Sequence, residues 1–252
     1  MVFSRPMNAN IQKTLVSDYY VLYVDVLGYK QKFLSPSFDE NQYLLDILGE
    51  VKAAIEKHRS FFHILTLTDC IYVGVTASAP DSFERLCKFS ARLQEIATRR
   101  YQILLRGGIT YGNAFFSNTQ NVAFGSAVIR AYELESQKAK SPRIIIDENL
   151  RNEPYFKSSK HTLFVDSDGL HFINWMNYYD PENNPKNQRK KNLESLVISL
   201  ATIETSLNES IYKTTWKESR RLSLKKRWLK KYLKRIAQEY GFEKVFQQLF
   251  KI

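Results

Sequence analysis

An α+β fold, with an antiparallel-rich sheet covered by helices, follows from three features of this 252-residue sequence. The β-branched and aromatic run YYVLYVDV at residues 19–26 reads as a buried strand. Two further apolar runs, FFHILTL at 61–67 and CIYVGV at 70–75, are joined only by Thr68 and Asp69 and read as a hairpin with Asp69 near its tip. Stretches of helical periodicity alternate with these strands.

After the first strand, residues 39–58 place Tyr43, Leu44, Ile47, Leu48, Val51, Ala54 and Ile55 on one helical face. Asp81 stands as an N-cap before a second helix, whose stripe is Phe83, Leu86, Cys87, Phe89, Leu93, Ile96 and Ala97 and which ends near Arg99 and Arg100. A strand-like segment at 101–112 follows, with a short NAFF continuation and a turn-rich SNTQN. A helix opens at Phe124 and Gly125 and runs to about Lys138; residues 142–147 form a strand, and TLFVD with LHFINW forms a late hairpin around 167–169. Strand, helix, hairpin, helix, strand, helix is a ferredoxin-like order. The polar stretch 178–188 reads as a linker, dividing residues 15–178 from a helical extension at 186–252.

Hydrophobic residues make up 44% of the chain, enough for one good core. The net charge of +11 resides in the extension: from Lys186 onward there are 17 Lys and Arg against 6 Asp and Glu, while the first 185 residues carry 20 of each sign. Leu222, Trp228, Leu229, Tyr232, Leu233 and Ile236 recur there at helical spacing, so one side packs on the domain and the basic side stays wet. No segment approaches the roughly 18–20 apolar residues that span a bilayer, and no secretory leader is evident, which predicts a cytoplasmic protein. Cys70 and Cys87 lack metal-type spacing and read as small buried hydrophobes; His58, His63, His161 and His171 form no close pair.

Two carboxylates interrupt apolar strands. Asp25 closes the first strand and Asp69 the first hairpin. An ionised carboxylate at the end of a buried strand needs a cation or strong donors. Two of them on adjacent strand ends suit hard divalent cations, which take oxygen ligands and keep positions open for phosphates.

With these residues in order, the chain resembles the catalytic domain of class III nucleotidyl cyclases over roughly residues 19–146. The matching elements are Asp25-Val26 with Gly28-Tyr29 after an apolar strand, Asp69 in LTDCIYVGV, Arg106-Gly107-Gly108-Ile109-Thr110-Tyr111-Gly112, and FGSAVIRAYELES at 124–136. Where purine-specific members carry a base-reading Lys, this chain has Leu65, and where they carry an Asn and an Arg one helical turn apart it has Ile129 and Glu133. Ser126 and Arg130 have the same spacing one turn earlier and could present a hydroxyl and a guanidinium, or Arg130 could serve only an ion pair.

Metal carboxylates retained beside an altered base pocket resemble the pyrimidine cyclases of the bacterial Pycsar antiphage systems. The resemblance implies conversion of UTP, or CTP, into a 3′,5′-cyclic nucleotide and pyrophosphate in response to phage infection, with the product activating a separate effector. It implies a homodimer with sites at the interface and two divalent cations, Mn²⁺ or Mg²⁺, bridged by Asp25 and Asp69 with the Val26 carbonyl. Backbone N–H groups from Val26 through Leu27 and Gly28 to Tyr29 would cradle the phosphates. Arg106 either steers the triphosphate or pairs with an acidic neighbour, and Tyr20 contacts the pyrimidine ring or fills the core. Two other classes stand against this reading: a catalytically inactive cyclase-fold binding module, and, less favoured, a protein that binds nucleic acid through the basic C-terminal helices.

Overall fold

A computed structural model of the chain describes residues 16–27, 46–47, 49–50, 61–67, 70–158, 162–177, 195, 198–203, 205, 215–241, 243–244 and 247. Its centre is strand β1 (Ser17–Val26), whose aromatic and β-branched residues are buried on both faces. Tyr20, Leu22, Val24 and Val26 point into one cluster, Tyr19, Val21 and Tyr23 into another, as strand alternation requires. β1 lies antiparallel between β3 (Cys70–Thr76) and β4 (Leu105–Ser117). β2 (His63–Leu67) pairs with β3, closing at Leu67 opposite Cys70 as the hairpin pattern predicts.

β4 runs unbroken through the NAFF stretch, because every residue to Ser117 finds a partner on β1 or on β5 (Val122–Phe124). Three residues are too few for a periodicity to show, which is why β5 is absent from the sequence reading. β6 (Ile144–Ile146) runs parallel to β4, shorter than the predicted 142–147, since Pro142 has no N–H to give a ladder. β7 (Leu163–Val165) and β8 (His171–Ile173) form the expected late hairpin. The order is β2-β3-β1-β4-β6-β8-β7, a mixed sheet in which only β4 and β6 are parallel among the described pairs.

Helix α1 (Ser82–Tyr101) covers one face, and all seven residues of its predicted stripe are buried. Asp81 does not cap it through its side chain. Its backbone is left-handed (φ 57°), and it gives only its carbonyl, to the Arg85 N–H at 2.8 Å. α2 (Ser126–Glu133) covers the other face and passes into a π-helical turn at Leu134–Lys138. It approaches closely because β4 offers glycine: a Cβ on Gly108 would stand 2.5 Å from Leu134 Cβ. A short α3 (Pro154–Ser158) precedes β7.

In the extension, α4 (Trp216–Tyr240) buries Leu222, Leu229, Tyr232, Leu233 and Ile236 as the stripe predicts, while Trp228 stays half-buried and donates its indole N–H to Asp166. From Leu229 onward these side chains join the same core as α1, β7 and β8. Of the predicted 39–58 helix only 46–47 and 49–50 are described, all helical with Ile47 buried; the 178–188 linker lies outside the described residues. No helix among the described residues is long and apolar enough to cross a membrane.

Candidate active site

Alternation along β1 sends Asp25 to the face that α2 covers, the face of Tyr19, Val21 and Tyr23. Opposite it stand Cys70 on β3 and Arg106 on β4. Arg106 donates from Nη2 and Nε to Asp25 Oδ2 at 2.9 and 3.1 Å. Its Nε also contacts Glu135, whose side chain is 3% exposed. The π turn puts Glu135 there: the Ala139 N–H reaches the Leu134 carbonyl at 2.9 Å, and the extra residue per turn changes which side chains face the sheet. Of the two alternatives open for Arg106, the structure shows the acidic pairing.

Burial, reinforced by the Asp25 charge and opposed by Arg106, pushes the Glu135 carboxyl up to about 7. Lys225 of α4 is held below the ordinary lysine value by burial and by the positive charge of Arg106, with Asp25 pulling the other way. The Asp25 end of the sheet therefore gathers Asp25, Arg106 and Glu135, and Lys225 feels the charges of Asp25 and Arg106.

Asp25 is a half-buried carboxylate at a strand end, so its chemistry fits a hard divalent cation, which would compete with Arg106 for Oδ2. Asp69, Gly28 and Tyr29 lie outside the described residues, and among the described ones no three His, Cys, Asp or Glu side chains form a metal-holding group. Val26 is buried beside Leu105 in the ladder. The phosphate cradle expected of Leu27 needs correction: its N–H donates to the Leu104 carbonyl at 2.9 Å and is already committed.

Ser126 and Arg130 lie elsewhere. They line a cleft of about 390 Å³ with Tyr111, Asp147, Glu148 and Asn149. Arg130 holds Asp147 with two bonds of 2.9 Å, Nε to Oδ2 and Nη2 to Oδ1, and Thr110 adds a third at 2.8 Å. Burial pushes the Asp147 carboxyl up, but the bonds from Arg130 and Thr110 outweigh it and hold the group below the ordinary carboxylate value. The Ser126 hydroxyl reaches the Asn113 carbonyl at 3.4 Å. Thr110, under the Arg130 pair, is four residues along β4 from Arg106, about 13 Å, so within one chain the two groups are separate.

The structure does not bring Tyr20 to the Asp25 end. It points to the opposite face, 7% exposed, its ring against Phe83 and Tyr111. Leu65 is buried with Tyr72 and Tyr23 on the α2 face, and Ile129 stands 61% exposed on the outside of α2. Sequence reasoning missed Glu135 and Asp147, and weighed Lys225 only as one of the basic residues of the C-terminal helix. Asp147 carried a usable signal, since it follows Ile144-Ile145-Ile146 much as Asp25 closes β1. Glu135 carried none, because a regular helix would place it by a different rotation.

No family model matches the chain, and no curated protein matches it. Among solved structures it is similar to the monomeric guanylyl cyclase domain of a RhoGC fusion protein from the aquatic fungus Blastocladiella emersonii, with 19% identity, a TM-score of 0.49, and coverage of 63% of this chain and 95% of that one. A non-canonical dimeric guanylyl cyclase domain of the same fusion protein gives 20%, 0.48, 63% and 96%. The adenylyl cyclase CyaB from P. aeruginosa gives 16%, 0.42, 63% and 94%. Likeness at this level carries nothing about activity, which rests on the residues above.

Proposed function

We propose that this protein is a nucleotidyl cyclase that turns UTP, less readily CTP, into the 3′,5′-cyclic nucleotide and pyrophosphate. The observation that carries the reading is a register. Cys70 faces Asp25 across the β1–β3 ladder, and Arg106 faces it across the β1–β4 ladder. The strand end that carries Asp25 thus also carries Arg106 and Glu135, and Asp69 is the residue before Cys70 in the sequence.

Two divalent cations, Mn²⁺ or Mg²⁺, would be held by Asp25, Asp69 and the Val26 carbonyl and would supply charge neutralisation at the phosphates and acidify the 3′ hydroxyl. The chain's own part is positioning. Arg106 fixes the Asp25 carboxylate from β4 and stands where it can turn toward a triphosphate. Leu65 offers no amine or amide to a purine edge, which supports a pyrimidine substrate. A homodimer is supported by the apolar outer surface of α2 and β5, where Ile129 is 61%, Tyr132 48% and Phe124 45% exposed. In such a dimer Ser126 and Arg130 of one subunit would complete the site of the other. The antiphage role, with a separate effector reading the product, rests on the sequence resemblance.

Incubation with each of ATP, GTP, CTP and UTP plus Mn²⁺, with products resolved by mass, tests the reading. Cyclic UMP or cyclic CMP, lost in Asp69→Ala, is expected. A cyclic purine product overturns the base assignment, and no product from a folded dimer leaves a nucleotide-binding module.

A further inference from the structure

The inner stripe of α4 is apolar from Leu229 onward and mixed before it, where Glu218, Ser219, Lys225 and Lys226 are half-buried. Leu222, Leu229, Tyr232, Leu233 and Ile236 are buried, and Lys225 falls in the same stripe, three residues after Leu222 and four before Leu229. Lys225 is accordingly half-buried, whereas its neighbour Leu224 is 53% exposed. A half-buried lysine calls for an anion.

One turn further along, α4 is anchored. The Trp228 indole donates to Asp166, which pairs with the buried Arg143, and the Arg143 carbonyl accepts from the Gly107 N–H at 3.1 Å. Gly107 is the neighbour of Arg106, so this chain of contacts ties α4, one turn from Lys225, to the strand that carries Arg106. The charges around Lys225 are Asp25 and Arg106 from the sheet and Arg221 and Glu218 from its own helix. Arg106 already pairs with both Asp25 and Glu135, so the acids nearby have a cation without Lys225.

We propose that Lys225 binds the phosphates of the nucleoside triphosphate held at the Asp25 end of β1, supplied by the same subunit as Asp25. This rests on the nucleotidyl cyclase reading and adds to it a cation carried by the C-terminal helix. In the reaction the bond from the 3′ oxygen to the α-phosphorus forms, the bond from that phosphorus to the oxygen bridging to the β-phosphate breaks, the 3′ hydroxyl proton leaves to solvent, and pyrophosphate departs. Lys225, a compact charge with three donors, meets the β- and γ-phosphate oxygens and offsets the charge that builds on the leaving group. Burial and Arg106 depress its basicity in the protein alone, a cost that bound phosphate relieves.

The test is calorimetric binding of 3′-deoxy-UTP and 3′-deoxy-CTP, which lack the attacking hydroxyl, and of inorganic tripolyphosphate, each with Mn²⁺, to the full chain. Lys225→Met and Lys225→Gln keep the stem and are checked by thermal melts, Lys225→Arg keeps the charge, and the exposed Lys234→Ala is the control. Binding of the better-bound nucleotide and of tripolyphosphate should weaken about tenfold in whichever of Lys225→Met and Lys225→Gln folds, and stay near wild type in Lys225→Arg and Lys234→Ala. Unchanged or tighter binding in the neutral variants overturns this proposal alone. A wild-type chain that binds neither nucleotide overturns the cyclase reading and this proposal with it.

Discussion

At 3% exposure beside Arg106, the carboxyl of Glu135 releases its proton only near pH 7. Its value in the fold is raised above the ordinary 4.5, so the stability it contributes is fully present below pH 4.5 and is lost as pH rises through about 7. Glu135→Gln removes that loss. Without added divalent cation, the melting temperature of the wild type should fall relative to Glu135→Gln between pH 4.5 and 8, by an amount on the order of 2 kcal/mol or several degrees. Parallel melting profiles would show that Glu135 is ionised at low pH and that Arg106 outweighs its burial. The same residue marks a limit of sequence reading. Asp25 was legible because an acid in an apolar strand breaks a pattern, whereas Glu135 sits among ordinary helical polar residues and gains its meaning from the turn that carries it.

That turn belongs to a larger unit, the contact of α2 and its π-helical end with β4. Gly108 lies beneath it, where an added Cβ would meet Leu134 Cβ at 2.5 Å and the Ala131 carbonyl at 3.0 Å. Both are parts of one packed element with no flexible end to yield. Gly108→Ala should therefore push the π turn off the sheet, cost about 1–3 kcal/mol by chemical denaturation, and loosen the Arg106–Glu135 contact. A variant as stable as wild type would mean that the helix slides freely. The glycines of the Arg106-Gly107-Gly108 motif were visible in the sequence, but not what they allow. Likewise α1 was read almost residue by residue from its stripe, while the left-handed backbone of Asp81 was not, since it is imposed by the turn leaving β3.

On the scale of the whole molecule, the apolar outer surface of α2 and β5 predicts self-association. Ile129→Asp places a charge at the most exposed apolar residue of α2, and should shift the chain toward monomer in sedimentation velocity while leaving its melting temperature within a degree or two of wild type. An unchanged dimer would move the interface to another surface. The order of the longer strands and helices, the core faces of β1, α1 and α4, and the carboxylate of Asp25 at the end of β1 were determined by the sequence alone, because periodicity and a charge within an apolar run are local properties. What only the tertiary structure decided is which side chains share a site. Pairing β1 with β4 brings Arg106 to Asp25, the π turn adds Glu135, and the parallel seat of β6 gives Arg130 to Asp147 instead. Each of these meetings joins residues 17 or more apart along the chain, and such pairings are set by the packing of the core.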